Sequence, residues 1–97
     1  WTDADQAKLD GYKAELKRFN PDFQTAFGYD VDAPGEADLS IATHWMRHHF
    51  KCLAMTLEMP FKDNADMPDA IYGWSAERSM KLGASQLDAI RAMLDQL

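Results

Sequence analysis

The sequence predicts an α/β fold in which three helices alternate with two strands, in the order helix-strand-helix-strand-helix. Apolar residues recur at helical spacing near both ends of the chain, and an apolar run of strand length lies between them. A short aromatic segment after the first helix supplies the other strand. With 97 residues, 46% of them hydrophobic, the chain has room for one small domain and not for two.

The first helix is predicted from Asp3 to Phe19, with Thr2 as its N-cap. Its apolar residues lie on one face, at spacings of three and four: Leu9, Tyr12, Leu16 and Phe19. Acidic residues in the first turn and basic residues in the last agree with the helix dipole. Aromatic residues then predict a strand from Phe23 to Tyr29, followed by an acidic loop over residues 30–38.

The middle of the chain predicts a helix followed by a buried strand. Asp38 is the expected N-cap of a helix that continues to about Arg47. The apolar run from Lys51 to Glu58 has strand length, and Pro60 should end it because proline lacks the backbone donor. Glu58 is therefore expected at the carboxyl end of an apolar strand.

A long irregular connection from Pro60 to Trp74 should lead into a helix that starts at Ser75 and reaches the last residue. The apolar face of that helix is predicted from one stripe of residues: Gly83, Leu87, Ile90, Leu94 and Leu97. Two strands do not make a stable sheet. We therefore expect a segment of a larger domain, an expectation that a first residue of Trp1 rather than Met supports.

The composition excludes several classes of partner. A formal net charge of −6 argues against nucleic acid and anionic membranes as partners, because phosphate contacts need clustered Lys and Arg. No apolar run approaches the length of a membrane span. The single cysteine, Cys52, cannot form an internal disulfide, which favours a cytoplasmic location. Unpaired strand edges predict that the isolated chain forms homo-oligomers.

Glu58 is the residue that the sequence singles out for chemistry. A carboxylate on an apolar strand costs desolvation unless it is paired or serves proton transfer. The alternative places Glu58 just past the strand end in solvent, and spacing alone does not decide between the two. His44 and His48 are one helical turn apart, yet Trp45 stands where the zinc-helix motif needs a glutamate. We therefore predict that no metal is held by this chain, and that the histidines lie on the surface.

Two stretches of the sequence resemble a known family. LAMTLEMPFKDNADMPD, followed by YGWSAERSMKLGASQLDAIRAML, is similar to the carboxyl-terminal part of zinc carboxypeptidases, in the bacterial branch that resembles cytosolic carboxypeptidases. In that family a buried apolar-Thr-apolar-Glu strand precedes a loop and a long terminal helix. The resemblance extends upstream over essentially the whole chain and implies a portion, residues 1–97, of a mixed-sheet catalytic domain that is incomplete on its own.

The resemblance also implies residue roles and partners. Glu58 would be the general base that activates zinc-bound water and passes the proton to the leaving amine. Tyr29 resembles the tyrosine that closes over the terminal carboxylate of the peptide substrate, and Thr56 would lie near the side-chain pocket. The family's His-x-x-Glu zinc ligands and its carboxylate-binding arginines are absent here. Zinc is therefore expected to be bound by the remaining N-terminal part of the domain, and the segment alone is expected to be inactive.

Two other interpretations remain open on the sequence. In one of them, the chain is a small acidic interaction module, which oligomerises or docks a partner through its terminal amphipathic helix. The third interpretation is a small histidine metal-binder, which the poor ligand spacing disfavours.

Overall fold

The computed structural model describes all residues, 1–97, and its regular structure is helical. Helix α1 spans Asp3–Phe19, α2 spans Ala42–Phe50 and α3 spans Ala76–Met93, with a 3-10 turn at Leu94–Gln96. The predicted α/β fold class is wrong, because the chain contains no strand. None of the helices is long and apolar enough to cross a membrane.

Helix α1 forms as its local signals predict. Thr2 and Asp5 make a capping box, in which the Thr2 side chain accepts from the Asp5 N–H and the Asp5 carboxylate accepts from the Thr2 N–H. Lys17 and Arg18 lie in the last turn, where positive charge is favoured by the helix dipole. The prediction of this helix is confirmed, with the same bounds.

The core lies between α1 and α3. It consists of five buried residues: Tyr12, Leu16, Leu82, Ala89 and Met93. Partly buried side chains of the intervening segments pack against it: Phe23, Leu53, Leu57 and Trp74. Only eight of the 97 residues are buried, and the radius of gyration is 14.8 Å, whereas a compact domain of this length has about 12.5 Å. The chain therefore leaves much of its apolar surface uncovered.

The predicted face of α3 is wrong. The residues that face α1 are Leu82, Ser85, Ala89 and Met93. The predicted stripe lies mostly in solvent instead, with Leu87 71% and Leu94 65% exposed. Two of the buried residues, Ser85 and Ala89, are small, and the Ser85 hydroxyl is satisfied because it donates to the Leu82 carbonyl. A pattern built on large apolar residues missed this contact face.

Neither predicted strand is present. Residues 52–61 make no backbone–backbone hydrogen bond, and residues 24–32 make none either. A strand exists only when a neighbouring strand pairs with it, and the chain offers the run from Lys51 to Glu58 no such neighbour. The segment is held instead by Leu53 and Leu57, which pack against the core. The predicted strand from Phe23 to Tyr29 likewise forms bends, anchored at Phe23.

Helix α2 starts later than predicted. Its N-cap position is Ile41, without a side-chain cap, whereas Asp38 accepts from the Ser40 N–H in the preceding turn. The helix has no buried residue. It is attached to α1 by an ion pair between Arg47 and Asp5, and the Arg47 guanidinium lies over the Trp1 ring.

The connection from Pro60 to Trp74 is irregular, as predicted, and is closely folded. The Trp74 N–H donates to the Lys62 carbonyl at 2.7 Å, which closes the loop at its base. Gly73 has φ +58°, and a Cβ built there would lie 2.3 Å from the Lys62 oxygen. Only glycine fits this position. Ser75 then caps α3 by accepting from the Arg78 N–H.

Candidate functional site

Two of the three predicted site residues meet in the structure. The Tyr29 hydroxyl donates a hydrogen bond to Oε1 of Glu58 at 2.6 Å, which is short and typical of a phenol on a carboxylate. Both residues are exposed, and no other hydrogen bond joins residues 24–32 to residues 52–61. Because the Glu58 carboxylate accepts this proton and repels a phenolate, the pKa of Tyr29 is raised.

Thr56, the third predicted site residue, is exposed and makes no hydrogen bond to Tyr29 or Glu58. It lies two residues before Glu58 on the same irregular segment. The structure therefore places Thr56 close to Glu58 along the chain and gives its side chain no hydrogen bond. Its assignment to a substrate pocket stays a prediction.

A polar cluster around Arg78 was missed by sequence reasoning. Arg78, in the first turn of α3, makes a bidentate contact with Asp22, with Nη2–Oδ1 at 2.5 Å and Nε–Oδ2 at 3.2 Å. Its Nη1 also donates to Asp63 at 3.0 Å. The side chains of Arg78 and Asp22 are only 15% and 14% exposed. Arg78 lowers the pKa of Asp22, and Asp22 in turn raises the pKa of Arg78.

Asn64 extends this cluster. It is buried, and its amide donates to the backbone and side-chain oxygens of Asp22 at 3.0 and 3.2 Å. Asp63 accepts from the Asp69 N–H at 2.9 Å. Asp69 accepts from the Ile71 and Tyr72 N–H groups, which lowers the pKa of Asp69. The loop from Pro60 to Trp74 is therefore fixed by side chains rather than by regular structure.

One sequence signal pointed to this cluster. A positive charge in the first turn of a helix is disfavoured by the helix dipole, so Arg78 needs a carboxylate partner. Aspartate and asparagine also form local hydrogen-bonded turns readily, and several of them stand between residues 62 and 69. The position of Asp22 next to Arg78 is a tertiary contact, however, and no local pattern identifies it.

The residues of the chain do not fit a zinc site. No group of three or more His, Cys, Asp and Glu side chains lies close enough together to hold a metal ion. His44 Nε2 lies 3.6 Å from Asp32, and His49 stacks on Trp45 with ring centroids 4.1 Å apart. Zinc in structural sites takes four ligands, and catalytic zinc takes three from the protein. The histidines of α2 do not provide such a set.

The fold of this chain is similar to that of segments of solved metallo-carboxypeptidase structures. The resemblance that the sequence predicts is confirmed by solved structures of metallo-carboxypeptidases, of which this chain covers about a quarter. No family model matches the chain.

The similarity extends over nearly the whole chain. A crystal structure described as a candidate carboxypeptidase A from Shewanella denitrificans is 47% identical, with a TM-score of 0.93 over 99% of this chain and 26% of that one. A metallo-carboxypeptidase from Pseudomonas aeruginosa, in complex with (2-guanidinoethylmercapto)succinic acid, is 36% identical, with a TM-score of 0.91 over 98% of this chain and 25% of that one. An uncharacterized protein of Zymomonas mobilis is 49% identical over 86 residues, 89% of this chain and 23% of that protein.

Proposed function

We propose that this chain is part of a zinc-dependent carboxypeptidase that hydrolyses C-terminal peptide bonds, and that it contributes the general base, Glu58. The observation that carries the proposal is the hydrogen bond between Tyr29 and Glu58 in a chain that matches metallo-carboxypeptidase structures along nearly its whole length. It brings together two residues that the resemblance had assigned to one active site. The remaining N-terminal part of the domain is the partner that completes the site.

The chemistry assigned to Glu58 follows from its side chain and its exposure. A general base needs an acceptor oxygen that water can reach, and Glu58 is an exposed residue whose Oε1 already accepts from the Tyr29 hydroxyl. Glu58 takes a proton from the water whose oxygen attacks the carbonyl carbon of the last peptide bond. As the C–N bond breaks, the protonated Glu58 returns that proton to the leaving amine.

Tyr29 is proposed to bind the terminal carboxylate of the peptide. Its phenol donates to the carboxylate of Glu58, so the carboxylate of a peptide is a chemically equivalent acceptor. If the Tyr29 hydroxyl donated to the peptide carboxylate instead of to Glu58, the substrate would lie next to Glu58. The Glu58 oxygen would then be free to accept the proton. Thr56, close along the chain, is proposed to line the side-chain pocket of the substrate.

Zinc is proposed to be held by residues outside this chain, because the residues present here do not fit it. When bound, zinc would polarise the peptide carbonyl and acidify water. The segment alone is therefore expected to be inactive. A cytoplasmic location is also proposed, from the single free cysteine.

Product analysis tests the proposed activity. The longer protein that contains this chain should release single residues from the end of a peptide with a free carboxylate, as detected by mass spectrometry. It should leave the same peptide intact when the terminus is amidated, because the acceptor for Tyr29 is then neutral and lacks one oxygen. Internal cleavage, or equal cleavage of both peptides, would contradict the proposal.

A second candidate is an acidic interaction module, and the outer face of α3 favours it. Leu87, Ile90 and Leu94 form an exposed apolar stripe on a chain with net charge −6. Sedimentation of residues 1–97 at increasing concentration tests this candidate. Self-association abolished by Leu87→Glu would support it, whereas a monomer at every concentration would not.

A further inference from the structure

We propose that Arg78 is a positioning residue that fixes Tyr29 and Glu58 relative to each other, by tying together the bases of the two chain segments that carry them. The inference rests on the proposed function of Tyr29 and Glu58. It concerns a residue whose hydrogen bonds and ion pairs are all made to other partners than Tyr29 and Glu58.

The first support is the complete use of the Arg78 guanidinium. Besides its contacts with Asp22 and Asp63, Nη1 donates to the Gly73 carbonyl at 3.1 Å and Nη2 to the Met67 carbonyl at 2.8 Å. The planar fork of arginine matches a carboxylate in two parallel hydrogen bonds, which lysine cannot reproduce. Three segments therefore meet at one cation whose side chain is only 15% exposed: the turn after α1, the loop from Pro60 to Trp74 and the first turn of α3.

The second support is a closed ring of contacts. Asp22 lies at the base of the segment that leads to Tyr29, and Asp63 lies at the base of the segment that leaves Glu58. At the far ends, Tyr29 and Glu58 meet in the hydrogen bond of 2.6 Å. At the base, Arg78 joins the two aspartates. A change in the base contacts therefore propagates along both arms of the ring to the Tyr29–Glu58 pair.

The third support is the lack of other restraints on the two arms. Residues 24–32 and 52–61 make no backbone–backbone hydrogen bonds, and their only anchors to the core nearby are Phe23, Leu53 and Leu57. A segment without regular structure takes its position from its anchored ends. Because general-base catalysis loses up to about 100-fold for a misplacement of about 1 Å, the clamp at the base matters for turnover as well as for folding.

The test uses the longer protein that contains this chain, without substrate, and follows the Tyr29 phenol by NMR of carbon-labelled tyrosine, assigned with Tyr29→Phe. In the unaltered protein the pKa of Tyr29 should lie above its ordinary value of about 10, because Glu58 is its acceptor. In Asp63→Asn, which keeps the shape of the side chain and removes its charge, that pKa should fall toward the ordinary value. Arg78→Lys should act in the same direction.

Glu77→Gln is the matched control, because it removes a carboxylate from an exposed ion pair with Lys81 in the same helix. It should leave the Tyr29 titration unchanged. An unchanged Tyr29 titration in Asp63→Asn would overturn the inference, as would an ordinary pKa in the unaltered protein. Neither result depends on turnover, so both are distinguishable from a failure of the proposed function.

Turnover supplies the second measurement. Asp63→Asn should lower kcat by about 10-fold to 100-fold with little change in KM. The loss caused by Tyr29→Phe should be smaller in the Asp63→Asn background than in the unaltered protein, because residues that act together are not independent. If the factor by which kcat falls in the double variant were the product of the factors for Asp63→Asn and Tyr29→Phe, in protein that melts cooperatively, Arg78 would only stabilise the fold.

Discussion

The Tyr29 hydroxyl and the Glu58 carboxylate are joined by a hydrogen bond of 2.6 Å across twenty-nine positions of sequence. Neither residue lies in regular structure or in the core. Their contact therefore depends on the anchors behind them, which are the core between α1 and α3 and the polar cluster around Arg78.

The packing face of α3 is tested by two leucines on the same helix. Leu82 is 3% exposed and packs in the core, whereas Leu87 is 71% exposed. Leu82→Ala should lower the free energy of unfolding by about 2–5 kcal/mol, because it leaves a cavity. Leu87→Ala should change it by less than about 0.5 kcal/mol in residues 1–97. Chemical denaturation of residues 1–97 measures both changes. A larger loss of stability in Leu87→Ala than in Leu82→Ala would show that the predicted stripe is the face that packs in the core.

Gly73 tests the closed base of the loop. Gly73→Ala should destabilise the protein by more than about 1 kcal/mol, because φ is positive and the new Cβ meets the Lys62 carbonyl at 2.3 Å. Gly35→Ala is the control, since its φ is also positive at +82° but no atom lies within 4 Å of a Cβ there. Thermal melting compares the two. Equal effects would mean that the Lys62 contact adds nothing to backbone strain.

Asp5 lies in the first turn of α1, and its lowered pKa should make the stability of the fold depend on pH. Hydrogen bonds from Thr2, then Arg47, lower the pKa of Asp5 to about 2. A carboxyl group whose pKa is lower in the folded protein stabilises the fold above its unfolded pKa of about 4, and loses that effect as the pH falls toward the folded value. Asp5→Asn should therefore be less stable than the unaltered chain at pH 7, with a difference that disappears between about pH 4 and pH 2.

Urea denaturation at several pH values checks this prediction. Asp3→Asn is the control, because Asp3 lies in the same turn and is not part of the capping box. A difference for Asp5→Asn that persists unchanged at pH 2 would show that the Asp5 carboxylate is not the source of the stabilisation.

Zinc content tests the proposed division of the active site. Residues 1–97 should bind less than stoichiometric zinc after purification and dialysis, whereas the longer protein should carry zinc. Replacing His44 and His48 in the longer protein should leave its zinc content unchanged, because these residues are not part of a ligand cluster. Metal analysis by mass spectrometry measures all three samples. Stoichiometric zinc in residues 1–97 would contradict the account.

Local signals predicted α1 with its bounds, whereas α2 began later than predicted, α3 ended at Met93 rather than at the last residue, and neither strand formed. The capping box at Thr2 and the cap at Ser75 act within a single turn, so the sequence nearby contains all that α1 and the start of α3 require. A strand depends on a partner elsewhere, and the apolar run from Lys51 to Glu58 has none in this chain. The apolar stripe predicted for α3 was wrong for a different reason. The buried face of α3 contains Ser85 and Ala89, and a pattern of large apolar residues does not include them.

The sequence singled out Glu58 from its place in an apolar run, and the resemblance added Tyr29 and Thr56; the roles of all three stay predictions. Spacing alone left Glu58 undecided between a buried strand and solvent, and the structure shows it exposed. The pairing of Glu58 with Tyr29 joins distant positions, so no local rule contains it. Arg78 was missed because its partners Asp22 and Asp63 lie far from it in sequence.

The most direct test of the central claim is the turnover of Glu58→Gln in the longer protein. Glutamine keeps the size of the side chain and can still accept from Tyr29, but it cannot take a proton from water. We expect kcat to fall by at least about 100-fold, while peptide binding and zinc content are retained. Glu36→Gln, at an exposed turn, is the control and should retain full turnover. Turnover of Glu58→Gln within two-fold of the unaltered protein would remove Glu58 from the mechanism.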